Sequence, residues 1–289
     1  MTVAVGANTW IWVSPLTDAR LADLAPRIRG WGFDTIELPI ESPGDWDPDR
    51  TADLLAGLGL TATVCAVMPP GRDLVTDDLE VVERTGDYLR YCVRAAARVG
   101  SGVVAGPIYA PVGRTWLLDR DARAATVRRL RERLRPLGEE AAAQGVTLAL
   151  EPLNRFETSL LNTAEQTLEV VDGIPGLGIA LDTFHMNIEE RDIPTAIRTV
   201  GERLSHVQVC ANDRGAPGND HLDWPGIVAA LRDVDYTGPL CIESFTAENR
   251  TIATAAAIWR PLAPSQDQLA TAGLAFLRAL LDRATASAR

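Results

Sequence analysis

Gly178-Ile-Ala-Leu-Asp182, the helical segment Ile193–Val200 and His206-Val-Gln-Val209 together form the stretch that decides the fold. Each flanking run is apolar, short and bounded by turn residues, as a buried strand requires. The segment between them carries a helical pattern, so the unit reads strand, helix, strand. Working outward, the same alternation covers the chain. Further strands are expected at Val3–Asn8, Thr35–Leu38, Ala62–Val67, Gly102–Ala105, Thr147–Glu151 and Pro239–Glu243. Helices are expected at Ala19–Trp31, Arg50–Leu58, Asp77–Val99, Arg120–Gln144, Ala164–Val171, Trp224–Asp233 and about Ser265–Arg283. Asn162 or Thr163 can cap the helix after the fifth strand, and Gly145 can end the one before it. Eight strands each followed by a helix, with no linker or composition break, predict one (β/α)₈ (TIM) barrel spanning 1–289. A doubly wound sheet would want a glycine-rich phosphate turn after the first strand, and Gly6-Ala-Asn-Thr-Trp10 is not one.

Side-chain alternation then sorts the strand residues. Leu148 and Leu150, Ile179 and Leu181, Val207 and Val209, and Leu240 and Ile242 are large and apolar, so they face the helices. That turns Glu151, Asp182, His206 with Gln208, and Cys241 with Glu243 toward the barrel axis. Four consecutive strands thus aim a metal-competent group inward: Glu151, Asp182, Gln208 and Glu243. Most of these sit at the C-terminal strand ends, where this fold carries its chemistry.

Composition narrows what those groups can do. The 28 basic residues are all arginine, and against 39 acidic ones the net charge is 28 − 39 = −11. Without lysine there is no Schiff-base, P-loop or general-base lysine. The acidic balance argues against a nucleic-acid partner. No apolar run is long enough to span a bilayer, and no leader is visible where Met1–Thr2 meets Val3–Ala7, so the expected location is cytoplasmic. Cys65, Cys92, Cys210 and Cys241 show no CxxC spacing and read as buried thiols of a reducing compartment.

Three carboxylates buried together are very unfavourable unless arginine, protonation or a metal compensates them. An oxygen-rich set of Glu151, Asp182, Gln208 and Glu243 suits a divalent ion such as Mn²⁺ or Mg²⁺. All three histidines fall in one stretch of the chain. His185 lies three residues past Asp182 and His206 lies on strand seven, whereas His221 is a loop residue with no role assigned.

The chain resembles the ketose 3-epimerases of the D-tagatose/D-psicose type, within the sugar phosphate isomerase/epimerase superfamily. The likeness is carried by Glu151-Pro-Leu-Asn-Arg-Phe-Glu157 continuing to Leu161-Asn-Thr163, and by Leu181-Asp-Thr-Phe-His-Met-Asn-Ile-Glu-Glu190. Asn212-Asp-Arg-Gly-Ala-Pro-Gly218 with Trp224, Ile242-Glu-Ser-Phe245, Gly106-Pro-Ile-Tyr109 and Gly71-Arg-Asp-Leu74 add to it. What it implies is epimerisation of a ketose at C3 with a bound metal, Mn²⁺ first and Mg²⁺ or Co²⁺ next. Glu151, Asp182 and Glu243 stand at metal-ligand positions. Glu151 and Glu243 also stand as the pair that deprotonates and reprotonates C3 through a metal-stabilised enediolate. Glu157, His185 and Arg214 stand where the family meets its sugar, and a homodimer or homotetramer is implied.

One departure bears on the substrate. The family's strand seven usually reads His-x-His, with the second histidine on the metal, but here it reads His206-Val207-Gln208. Glutamine there resembles the hydroxypyruvate-isomerase branch, so aldose–ketose or hydroxypyruvate isomerisation at the same site is the alternative. A dehydratase of inositol-like ketones would use the same scaffold. An abasic-site endonuclease would want more histidines around a zinc cluster than the three present. A catalytically dead sugar binder would not need the second carboxylate. The sequence leaves open whether Trp10, Trp12 and Trp116 wall the pocket or pack elsewhere. It also leaves open whether Arg72, Arg114 and Arg155 grip a substrate phosphate or neutralise carboxylates.

Overall fold

Strand β1 (Val5–Asn8) pairs in parallel with β2 (Thr35–Ile40) on one side and with β8 (Leu240–Ile242) on the other, which closes the sheet on itself. Between them run β3 (Thr61–Ala66), β4 (Val103–Gly106), β5 (Thr147–Leu150), β6 (Leu177–Asp182) and β7 (Leu204–Val209), in sequence order around the ring. The computed structural model describes residues 3–286, so the expectation drawn at Met1–Thr2 falls outside the described residues. The expected closed (β/α)₈ barrel is therefore the observed one. No helix among the described residues is long and apolar enough to cross a membrane.

Helices follow the strands as α1 (Asp18–Trp31), α2 (Pro48–Leu58), α3 (Leu79–Arg98), α4 (Arg120–Ala142) and α5 (Ala164–Val171). Then come α6 (Thr183–Glu189), α7 (Ile193–Val200), α8 (Trp224–Asp233), α9 (Arg250–Ala255) and α10 (Gln266–Ala286). The short α6 and α9 lie in the loops after β6 and β8 and were not expected. Thr163, rather than Asn162, caps α5, while the Asn162 amide bonds the carbonyls of Leu153 and Thr158. Aspartates 47, 78, 119, 182, 192 and 223 each accept a backbone N–H at a helix start. Part of the acidic excess is thus spent on orphan amides and on favourable helix dipoles.

The alternation holds where it was applied. Leu148, Leu150, Ile179, Leu181, Val207, Val209, Leu240 and Ile242 are buried in the layer between sheet and helices. Each such side chain contributes about 1.5–3 kcal/mol by leaving water. Inside the barrel the filling is uneven. Val103, Ala105, Ala149 and Ala180 form a small apolar cluster on the β4–β6 side. The other side is polar, because register sets Asn8 beside Glu37, Glu37 beside Thr63, and Asp182 beside Gln208. At the top of β4, Gly106 has φ +140°, and an added Cβ would run into the Ala66 carbonyl oxygen. Only glycine fits there.

Candidate active site

At the C-terminal end of the strands lies a cleft lined by Glu151, Glu157, His185, Arg214 and Glu243 from four different segments. Asp182 and Gln208 lie beneath it, both fully buried. The strands position these groups by the register that pairs Asp182 with Gln208 and Gln208 with Cys241, two residues before Glu243 and on the same face. Glu151 follows β5 directly, and its N–H is fixed by the Gly106 carbonyl at 3.0 Å.

Arg214 occupies the middle of the constellation. Its Nη1 donates to Asp182 Oδ2 and, at 3.0 Å, to Glu243 Oε2. Its Nη2 lies 2.9 Å from His185 Nε2. The guanidinium is held between the rings of Phe184 and Phe245, at 4.3 and 4.8 Å from their centroids. Its backbone adopts φ 69°, a left-handed conformation that costs a non-glycine residue about 1–3 kcal/mol. The surrounding contacts, including the Arg214 carbonyl accepting from Phe245 N–H at 3.0 Å, hold it there. Arginine therefore compensates two of the three buried carboxylates directly.

The third, Glu151, has less help. Its Oε1 lies 3.5 Å from His185 Nε2. Glu151, Asp182 and His185 bring one ligand atom each within 4.8 Å of one another. Burial, and then the charge of Asp182, push the Glu151 carboxyl well above the usual range. Burial does the same to Glu243, against the pull of Arg214. For Asp182 burial is outweighed by the charges of Arg214 and His185, and its carboxyl is held low. His185 itself is pushed down by burial and by Arg214. Its Nδ1 accepts from the Asn154 backbone N–H at 3.1 Å, which leaves Nε2 facing the cleft.

A hard divalent cation fits this donor set. Three carboxylates share one guanidinium, and two of them stay uncomfortable as anions. In addition, the Gln208 side-chain oxygen is buried with no hydrogen-bond partner. An unpaired buried acceptor costs about 1–3 kcal/mol, which an electrophile beside it would relieve. Glu151, Asp182, Gln208 and Glu243 could hold such an ion.

Several residues proved informative that the sequence reading passed over. Glu37 is fully buried below Gln208. It accepts from Asn8 Nδ2 at 2.8 Å, Gln208 Nε2 at 2.9 Å and Thr63 Oγ1 at 3.1 Å, and lies 2.5 Å from His206 Nε2. Burial would raise its carboxyl, but His206, Gln208 and Asn8 hold it below the usual range. Glu41 lines the cleft and accepts from Trp10 Nε1 at 3.0 Å. Asn154 links His185 to Glu157, whose Oε1 it reaches at 2.8 Å.

The residues left open in the sequence also find their places. Trp10 lines the cleft. Trp12 instead stacks on Trp31 at 5.6 Å and donates to Asp267, while Trp116 lies under Arg114. Arg72 donates to the backbone carbonyls of Val67 and Glu41, Arg114 pairs with Asp73, and Arg155 pairs with Glu189. His221 contacts Asn187 at 2.9 Å. The four cysteines are free and buried.

Comparison with known proteins agrees with this architecture. Residues 26–280 match the family described as xylose isomerase-like TIM barrel. A probable ketose 3-epimerase of Synechocystis sp. is 34% identical over 278 residues, covering 96% of each chain. The solved structure of an L-ribulose 3-epimerase has a TM-score of 0.92 at 32% identity, covering 99% of this chain and 97% of that one. A D-allulose 3-epimerase of Methylomonas sp. in complex with D-allulose has a TM-score of 0.85 at 29% identity, covering 96% of both. The chain thus belongs to the ketose 3-epimerases of the xylose isomerase-like TIM-barrel family.

Proposed function

We propose that this isomerase-class enzyme inverts C3 of an unphosphorylated ketose by passing a proton between Glu151 and Glu243. The observation that carries the reading is that two buried glutamates, raised from strands three apart in the ring, line one cleft. Glu151 as base takes the C3 proton, and the C–H electron pair moves toward the C2 oxygen to leave an enediolate. Glu243 then delivers a proton to C3 from the other face, and the roles exchange in reverse. The high proton affinity that burial gives both carboxyls suits a pair that alternates between acid and base.

His185 Nε2 and the Arg214 guanidinium face the position where O2 would lie, and Glu157 with Asn154 holds the far side of the imidazole. Glu151, Asp182, Gln208 and Glu243 would hold a divalent ion, Mn²⁺ in this reading, with Mg²⁺ or Co²⁺ able to replace it. Bound there, the ion would supply electrophilic stabilisation of charge developing on the sugar oxygens.

The lining also speaks to the substrate's charge. Glu41, Glu151, Glu157 and Glu243 face the cleft, and Arg214 is the one arginine among its described lining residues. Among the described lining residues no other cation stands ready for a phosphate. The location proposed is the cytoplasm, which the four free, buried thiols support. Self-association into a homodimer or homotetramer, with neither nucleic acid nor membrane as partner, completes the proposal. Exposed Leu117, Phe156 and Trp259 on the loops of the cleft end support the self-association.

The test is turnover of a panel of free ketoses, hydroxypyruvate and ketose phosphates in heavy water, with chelator-treated protein and with Mn²⁺ restored. Epimerised ketose bearing deuterium at C3, formed only with the ion, is the expected result. Label at C2 of an aldose product would favour the isomerase alternative, for which Gln208 is the motivating residue. Product without any label would remove the proton-transfer scheme.

A further inference from the structure

Gln208 and Asn8 each place a side-chain nitrogen between the same two carboxylates. Gln208 Nε2 lies 2.9 Å from Glu37 Oε2 and 2.9 Å from Glu243 Oε1. Asn8 Nδ2 lies 2.8 Å from Glu37 Oε2 and 3.4 Å from Glu243 Oε1. An amide nitrogen has two hydrogens, so the pair of carboxylates uses both of Gln208's donors. Its oxygen is then forced to the opposite side, and that oxygen is the buried acceptor with no partner. Turning the amide over would press the oxygen against two carboxylates in a dry interior, which strongly disfavours the flip. Glu37 is itself fixed from behind, with Thr63 Oγ1 at 3.1 Å and His206 Nε2 at 2.5 Å on its other oxygen.

We propose that Glu37 is a positioning residue that locks the Gln208 amide with its oxygen aimed at the cation site, so that glutamine serves as a ligand on strand β7. The proposal rests on the reading of Glu151, Asp182, Gln208 and Glu243 as a divalent-ion site. Glu37 would not touch the ion. It acts through the amide, as carboxylates behind metal-binding side chains do elsewhere. Without it, the amide could present either end, and a nitrogen facing the ion would repel it.

The test is Mn²⁺ titration of chelator-treated full-length protein by calorimetry, with the electron paramagnetic resonance spectrum of the bound ion as a second readout. Glu37→Gln should weaken Mn²⁺ binding by about 10–100-fold and alter the spectrum. Thr63→Val, which loosens Glu37 without touching Gln208, should stay within about threefold, since its lost contact reaches the ion only indirectly. The decisive arm is a double-mutant cycle. In a Gln208→Ala background, Glu37→Gln should have little further effect. Equal losses in both backgrounds, or parental affinity in Glu37→Gln, would overturn the proposal. Should Glu37→Gln fail to fold, Glu37→Asp keeps the charge beside His206 while withdrawing it from the amide, and must show a loss in the same direction. A parent that binds no Mn²⁺ would instead overturn the cation reading, and this proposal with it.

Discussion

Arg214 Nη1 lies 3.0 Å from Glu243 Oε2, with both side chains almost wholly buried. The same nitrogen also bonds Asp182, so one guanidinium neutralises carboxylates carried by two different strand ends. Removing it should leave uncompensated charge in the interior, a loss of about 3–5 kcal/mol when one partner of a buried pair is deleted. Arg214→Ala, freed of metal by chelator, is therefore expected to unfold at markedly lower urea than the parent. Added Mn²⁺ should recover much of the difference, because the cation supplies the missing charge. Identical urea midpoints for the two chelated proteins would show that Arg214 does not serve as counter-ion.

Glu243→Gln separates binding from proton transfer. The amide keeps an oxygen and the side chain's volume but cannot exchange a proton at C3. Epimerisation should fall by about 10²–10⁴-fold, the usual worth of a positioned acid or base, while Mn²⁺ still binds. Near-parental turnover in this variant would exclude the two-glutamate scheme.

The strand alternation that exposed Glu151, Asp182, Gln208 and Glu243 was readable because leucine, isoleucine and valine mark the helix-facing positions so plainly. The same logic applied to Thr35-Ile-Glu-Leu38 places Glu37 inside the barrel beside Asn8, so this residue was available to the same reasoning. Helix α6 was not. Seven residues are too few for an apolar period to emerge, and its start depends on Asp182 accepting the Phe184 N–H at 2.6 Å. The resemblance named Arg214 for the site, but the contacts that orient it were equally out of reach. Its guanidinium is set by Phe184 and Phe245, which are distant in sequence and meet only in the fold. Trp12 and Trp116 follow strands as Trp10 does, yet only the tertiary packing separates the one that lines the cleft.

Thiol chemistry offers a check on the interior. Burial pushes the Cys92 thiol up to about 12 and raises those of Cys65, Cys210 and Cys241 well above the usual range. Since the thiolate is the reactive form, native protein at pH 8 should give well under about one reactive thiol per chain with Ellman's reagent. Denatured protein should give four. Cys65 borders the cleft, so rapid titration of Cys92, Cys210 or Cys241 is what would mean that the barrel interior opens on the timescale of the assay.

Charge in the cleft predicts substrate selection. Arg72, Arg114 and Arg155 are the arginines that could have gripped a phosphate, and each is committed to backbone carbonyls or to an acidic partner away from the lining. Carboxylates from Glu41 and Glu157 would meet the phosphate instead. A dianion brought beside them without a counter-ion meets repulsion of several kcal/mol. We therefore expect kcat/KM for a free ketose to exceed that for its phosphate ester by at least about 100-fold, a difference of about 2.7 kcal/mol. Glu41→Gln should narrow the gap by weakening the repulsion, and rising ionic strength should narrow it further for the exposed part of that charge. Equal use of both substrates by the parent would show that an arginine leaves its partner to bind phosphate, and would reopen the question of what Arg72, Arg114 and Arg155 do.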